Sequence, residues 1–146
     1  MNGTVLIVDD EKDFLSLCKR VFEKKGYSVI LAENFNQAMK AIRFSDVMIL
    51  DYDIGIPNGE QVLKNISEKN DLIPVIMVSG MFPNEITIQK WKDMGIFSYM
   101  KKPVDFNSLI KDINESIYLK RVTDLAENAC LAIEKMSLLD TCPVSN

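Results

Sequence analysis

Five side chains in this sequence are suited to chemistry by type and by position: Asp9, Asp10, Asp51, Ser79 and Lys102. Asp9 and Asp10 close the apolar run Val5–Val8, Asp51 closes Val47–Leu50, Ser79 closes Pro74–Val78, and Lys101–Lys102 close Phe97–Met100. Carboxylates gathered in one crevice repel one another, by about 4 kcal/mol for a pair 4 Å apart at an effective dielectric near 20. Something cationic must offset that repulsion. Hard oxygen ligands suit Mg²⁺, which takes one or two carboxylates directly and keeps several waters. Lys102 adds a permanent positive charge on a flexible stem, and Ser79 adds a hydroxyl donor. A metal, an ammonium, a hydroxyl and a spare carboxylate make a phosphoryl-transfer site in which an aspartate is the nucleophile.

Such a site needs a scaffold that brings distant strand ends together. The first 120 or so residues alternate short apolar runs with amphipathic stretches. Strands are expected at Val5–Val8, Tyr27–Leu31, Val47–Leu50, Pro74–Val78 and Phe97–Met100. Helices are expected over residues 11–25, 36–44 and 59–68, then from Pro83 towards Gly95, and finally from Asp105 as N-cap. Asp10 is expected to help cap the first helix as well. Five strands alternating with helices predict an α/β fold, a doubly wound parallel sheet with helices on both faces. In such sheets ligands bind beyond the carboxyl ends of the strands, where the five polar side chains fall.

Composition narrows the chemistry. The chain has 146 residues, 47% of them apolar, enough for one domain and a short appendage. There is no histidine, which removes Ser-His-Asp and Cys-His catalysis, and any phosphohistidine must sit on another chain. The formal charge of −4 argues against nucleic acid or an anionic membrane as the main partner. Three widely spaced cysteines, Cys18, Cys130 and Cys142, suit reduced thiols in the cytoplasm. No run is long enough to span a membrane.

From about residue 3 to residue 120 the chain resembles the receiver domains of two-component response regulators, close to the chemotaxis type. The motifs are the acidic pair in LIVDDE, the acceptor Asp51 in VMILD with Gly59 eight positions later, Ser79 in PVIMVSG, and Lys102–Pro103. Tyr99 falls where the family has its switch aromatic. The resemblance implies the flavodoxin-like strand order 2-1-3-4-5. It implies that Asp10 and Asp51 ligate Mg²⁺ with the backbone carbonyl of Asp53, and that Asp9 acts through a water. Lys102 and Ser79 would bind phosphoryl oxygens, Ser79 and Tyr99 would form the switch, and the Lys102–Pro103 bond would be cis. Implied partners are a histidine kinase or histidine phosphotransfer protein and a downstream protein target. The protein would be a cytoplasmic phosphoprotein carrying an aspartyl phosphate, not an enzyme with an external substrate. One departure is Gly55, where the family often has proline, with Pro57 two residues later.

Two other readings compete. Asp51-Tyr-Asp53 also fits the nucleophile motif of a haloacid-dehalogenase-like phosphatase, although that family carries it on the first strand. A flavodoxin-type flavin binder is disfavoured by acidic strand ends.

Residues 1–120 are therefore expected to form the receiver and 121–146 a helical extension. Between Asp105 and Asn146 there are seven acidic and four basic residues, the wrong sign for a groove-reading helix. Tyr118, Val122, Leu125, Ala129, Ala132, Met136 and Leu139 alternate at spacings of four and three, a heptad seam. The seam is expected to pair with a second chain; folding back on its own domain is the alternative. The end, from Cys142 to Asn146, is expected to fray.

Overall fold

The runs of apolar residues pair into a single sheet. The computed structural model describes residues 2–69, 73–81 and 83–140. In chain order the elements are β1 (Thr4–Val8), α1 (Lys12–Lys24), β2 (Ser28–Ala32), α2 (Phe35–Ala41), β3 (Val47–Leu50), α3 (Gly59–Glu68), β4 (Val75–Ser79), α4 (Glu85–Asp93), β5 (Ile96–Lys101) and α5 (Phe106–Asp140). A 3₁₀ turn, Ile42–Phe44, ends the second helical stretch. All strand pairs are parallel and the order is β2-β1-β3-β4-β5.

The continuous apolar character of β1, β3 and β4 has a direct cause: these strands are buried on both faces. Leu6, Val8, Met48, Leu50 and Met77 pack with α2, α3 and α4 through Ala38, Val62, Leu63 and Trp91. Val5, Ile7, Val47, Ile49, Ile76 and Val78 face the other way, onto Leu15, Cys18 and Phe22 of α1 and Leu109, Ile113 and Ile117 of α5. Period-two alternation thus feeds two cores at once.

Helix starts differ from expectation in two places. The residue capping α1 is Glu11, with no side-chain cap bond, so Asp10 does not cap that helix. Pro83 lies outside α4, whose N-cap is Asn84; its Oδ1 accepts from the Thr87 N–H at 2.8 Å. Asp105 does cap α5, accepting from the Asn107 N–H at 3.2 Å and from the Ser108 hydroxyl at 2.7 Å.

α3 begins where the chain has least room. Asn58 and Gln61 form a reciprocal capping box, and Gly59 follows directly. A Cβ on Gly59 would overlap the Asp51 carbonyl oxygen and stand 2.8 Å from the Tyr52 Cα. That contact explains the glycine eight residues after Asp51: α3 starts against the backbone of the turn that follows β3. The loop between carries Gly55 at φ 96° and a cis Ile56–Pro57 bond.

Beyond Ile117, α5 leaves the sheet. It runs for 35 residues, about 50 Å at 1.5 Å per residue. Tyr118, Val122, Leu125, Met136 and Leu139 of the heptad seam are exposed, between 45% and 69%. The seam therefore does not fold back on this domain. Leu131, Ile133 and Leu138, which lie off the seam, are just as exposed. The segment from Cys142 onward lies outside the described residues, as does any account of that thiol.

Candidate functional site

Backbone pairing places the chemistry. The Asp9 N–H donates to the Ala32 carbonyl at 3.0 Å, the Asp51 N–H to Val8 at 2.9 Å, and the Lys102 N–H to Ser79 at 2.9 Å. Asp9, Asp51 and Lys102 are thus each one step beyond their strands and tied to the neighbouring strand's end, while Ser79 is the last residue of β4 itself. Asp9 and Asp51 are 1% and 6% exposed, while Asp10 faces solvent. Carboxylate oxygens from all three lie within 4.8 Å of one another.

Lys102 sits among them. Its Nζ donates to Asp9 Oδ2 at 2.5 Å and Glu11 Oε2 at 3.2 Å, and stands 3.4 Å from Asp51 Oδ2. It also lies 4.3 Å from the ring centre of Phe14, within cation–π range. Lys101, the lysine just before it, is exposed. The Lys102–Pro103 bond is cis. Glu11 and Phe14 were not foreseen. They fall three apart at the start of α1, spacing that puts both on the face meeting Lys102.

The charges act on one another strongly. Burial pushes the Asp51 carboxyl up to about 6; the Asp9 charge adds to this, and Lys102 and the Asp53 N–H pull against it. Burial alone would lower Lys102, but its bond to Asp9 and the charges of Asp51 and Asp9 outweigh that and hold it above the usual lysine range. Asp51 is therefore a poorly compensated buried carboxylate. Three close carboxylates with a hard oxygen donor set fit a divalent ion such as Mg²⁺, which would supply the missing positive charge. Cys18, beside this cluster, is raised to about 12 by burial first and by Asp9 second, so its thiol stays protonated and inert.

Asp53 is exposed, and its N–H donates to Asp51 Oδ1 at 3.2 Å. On the β4 side, the fully buried Ser79 accepts from the Met81 N–H at 3.2 Å. The Met81 carbonyl in turn accepts from the Tyr99 hydroxyl at 2.5 Å. Tyr99 is therefore turned inward onto the loop that follows Ser79.

With this geometry in place, likeness to known proteins becomes informative. The sequence pattern described as "Response regulator receiver domain" matches residues 5–114. The chain belongs to the response regulator receiver domain family. It is 32% identical to a putative NtrX-like response regulator of Rickettsia typhi, over 97% of this chain and 30% of that protein. It is 30% identical to sporulation initiation phosphotransferase F of Bacillus subtilis, over 82% of this chain and 98% of that one. Among solved structures, a Francisella response regulator receiver domain superposes with a TM-score of 0.74 at 27% identity, over 81% of this chain and 98% of that one. The chain spans 25% to 32% of the length of the NtrX-like and ZraR relatives it matches. Receiver domains are the signalling switches of two-component systems. Among the described residues no helix is long and apolar enough to cross a membrane.

Proposed function

We propose that this receiver, residues 1–120, is a phosphorylation-dependent cytoplasmic switch whose acceptor is Asp51. The observation carrying the proposal is a buried carboxylate, raised in pKa, flanked by two more and by Lys102. An Asp51 carboxylate oxygen attacks the phosphorus of a phosphohistidine on a histidine kinase or phosphotransfer protein. The P–N bond breaks, the imidazole leaves and takes up a proton, and an acyl phosphate forms. Mg²⁺, held by Asp10, Asp51 and the Asp53 carbonyl with Asp9 through a water, would neutralise phosphoryl charge. Lys102 shifts from Asp9 towards the new phosphoryl oxygens. Ser79 donates its hydroxyl to the same group, giving up the Met81 N–H, and Tyr99 follows because it is bound to Met81. The altered surface near Tyr99 is read by a downstream protein.

Acetyl phosphate with Mg²⁺ is expected to add roughly 80 Da, and Asp51→Asn to abolish the addition. Intact-mass spectrometry decides; an unchanged mass for the native protein removes the acceptor role. A haloacid-dehalogenase-like phosphatase would hydrolyse external phosphomonoesters, but Asp51 follows β3 here, and that family's nucleophile follows the first strand.

Asp53 sits where attacking water approaches and can take its proton. Asp53→Asn is expected to slow loss of the phosphoryl group at least about tenfold. Equal decay of the two acyl phosphates would remove this role.

Residues 121–146 are proposed to pair with a second copy of the chain. An isolated helix this apolar is poorly stable in water, and its seam has no partner within the described domain. Light scattering is expected to give a dimer for the whole chain and a monomer without residues 121–146. A monomer in both cases ends the pairing.

A further inference from the structure

The sequence has one tryptophan, Trp91, and it is fully buried on α4. Its ring centre is 5.8 Å from that of Tyr52 and 5.8 Å from that of Tyr99, with interplanar tilts of 34° and 41°. Three rings thus run unbroken from the residue after the acceptor to the aromatic on β5. We propose that Trp91 is a positioning residue for Tyr99, relaying the placement of Tyr52 across the column. This gives the acceptor turn a second connection to β5, separate from the Ser79–Met81 loop.

Both ends of the column are constrained. Tyr52 is tied to the start of α3, because the Gly59 N–H donates to the Tyr52 carbonyl at 2.8 Å and the close approach there leaves no room for a Cβ on Gly59. Tyr99 is tied through its hydroxyl to Met81. The indole between them is held by its own polar edge. Its N–H donates to Glu60 Oε2 at 3.1 Å, and Lys90 pairs with the other oxygen of that carboxylate. Hydrogen bonds from Lys90 and Trp91 keep the Glu60 carboxyl below the usual range, so the acceptor stays charged. Rotating the indole would break this bond and leave a buried donor without the acceptor it now has. In a close-packed interior, a ring that cannot rotate passes a neighbour's displacement on.

The proposal rests on the receiver reading for the meaning of Asp51 and Tyr99, but the coupling itself can be tested without phosphorylation. The protein is labelled with 3-fluorotyrosine, and the Tyr99 ¹⁹F resonance is assigned through Tyr99→Phe. Tyr52→Leu is expected to move that resonance by more than its linewidth. With Trp91→Leu in the background, Tyr52→Leu is expected to leave it in place. Because Trp91→Leu removes a large buried ring and threatens folding, Glu60→Ala serves as the second background. It keeps the ring, frees the indole N–H, and is expected to shrink the Tyr52→Leu effect at least by half. A Tyr99 resonance indifferent to Tyr52→Leu in the native background, or moved as far by Tyr52→Leu in both altered backgrounds as in the native one, overturns the relay. Failure of acetyl phosphate to modify Asp51 would instead remove the receiver mechanism and leave the relay standing.

Discussion

Lys102→Met is expected to destabilise the metal-free protein by about 3 kcal/mol, measured by urea unfolding in the presence of a chelator. Methionine keeps most of the aliphatic stem and removes the ammonium, with its ion pairs and its contact to the Phe14 ring, so the loss reports charge. The ammonium is 2.5 Å from Asp9 and 3.4 Å from Asp51, and both carboxylates are largely buried. Breaking a buried pair from one side leaves the other side uncompensated, which is worth about 3–5 kcal/mol. Lys102 is 17% exposed, so the lower end applies. Adding Mg²⁺ is expected to restore part of the loss, because a divalent ion would meet the same carboxylates. Acyl phosphate formation is expected to fall on the order of 100-fold even with Mg²⁺ present, since no cation then meets the phosphoryl oxygens from the β5 side. A variant as stable as the native protein without metal would mean that Lys102 does not compensate this cluster.

The sequence exposed the frame of this site because the frame is local. A buried parallel strand must be apolar throughout, so its end is visible as the first polar residue, and Asp9, Asp51 and Ser79 announce themselves that way, while Lys102 is the second of two lysines and is marked by the proline that follows it. What binds across elements left weaker traces. Glu11 reads as one more acidic residue at a helix start, and only its distance to Lys102 shows what it meets. Trp91 reads as a core residue at helical spacing, which it is; the column through Tyr52 and Tyr99 depends on how α4 is turned, and periodicity alone does not fix that. Capping residues misled for a related reason. Pro83 and Asn84 are both good start signals, and the side-chain bond to Thr87 favours Asn84. The direction of α5 was equally open, since a heptad seam fits a partner's surface or its own domain's. Both sheet faces are already filled, and that excess of apolar surface over available core sends the helix outward.

Asp51→Asn is expected to raise the stability of the metal-free protein above pH 6 by about 3 kcal/mol while abolishing phosphorylation. The native Asp51 carboxyl is raised from the ordinary 3.8 to about 6, so the folded state holds a proton that the unfolded state releases. Stability from this group is then present below about pH 4 and is lost as pH rises through 6. Asparagine carries no charge at any pH and escapes that loss. Its advantage should therefore be small near pH 4, grow between pH 4 and 6, and level off above. Taking the difference between the two proteins at each pH cancels every titrating group that does not interact with Asp51. The bond from the Asp53 N–H survives the substitution, and Lys102 keeps Asp9 and Glu11. Mg²⁺ should narrow the gap, because the native site alone retains all three carboxylates for the ion. A reactive site of this kind is maintained against the stability of the fold around it. If the difference between Asp51→Asn and the native protein were flat with pH, the acceptor would be an ordinary solvated carboxylate and too well hydrated to be the poised nucleophile proposed here.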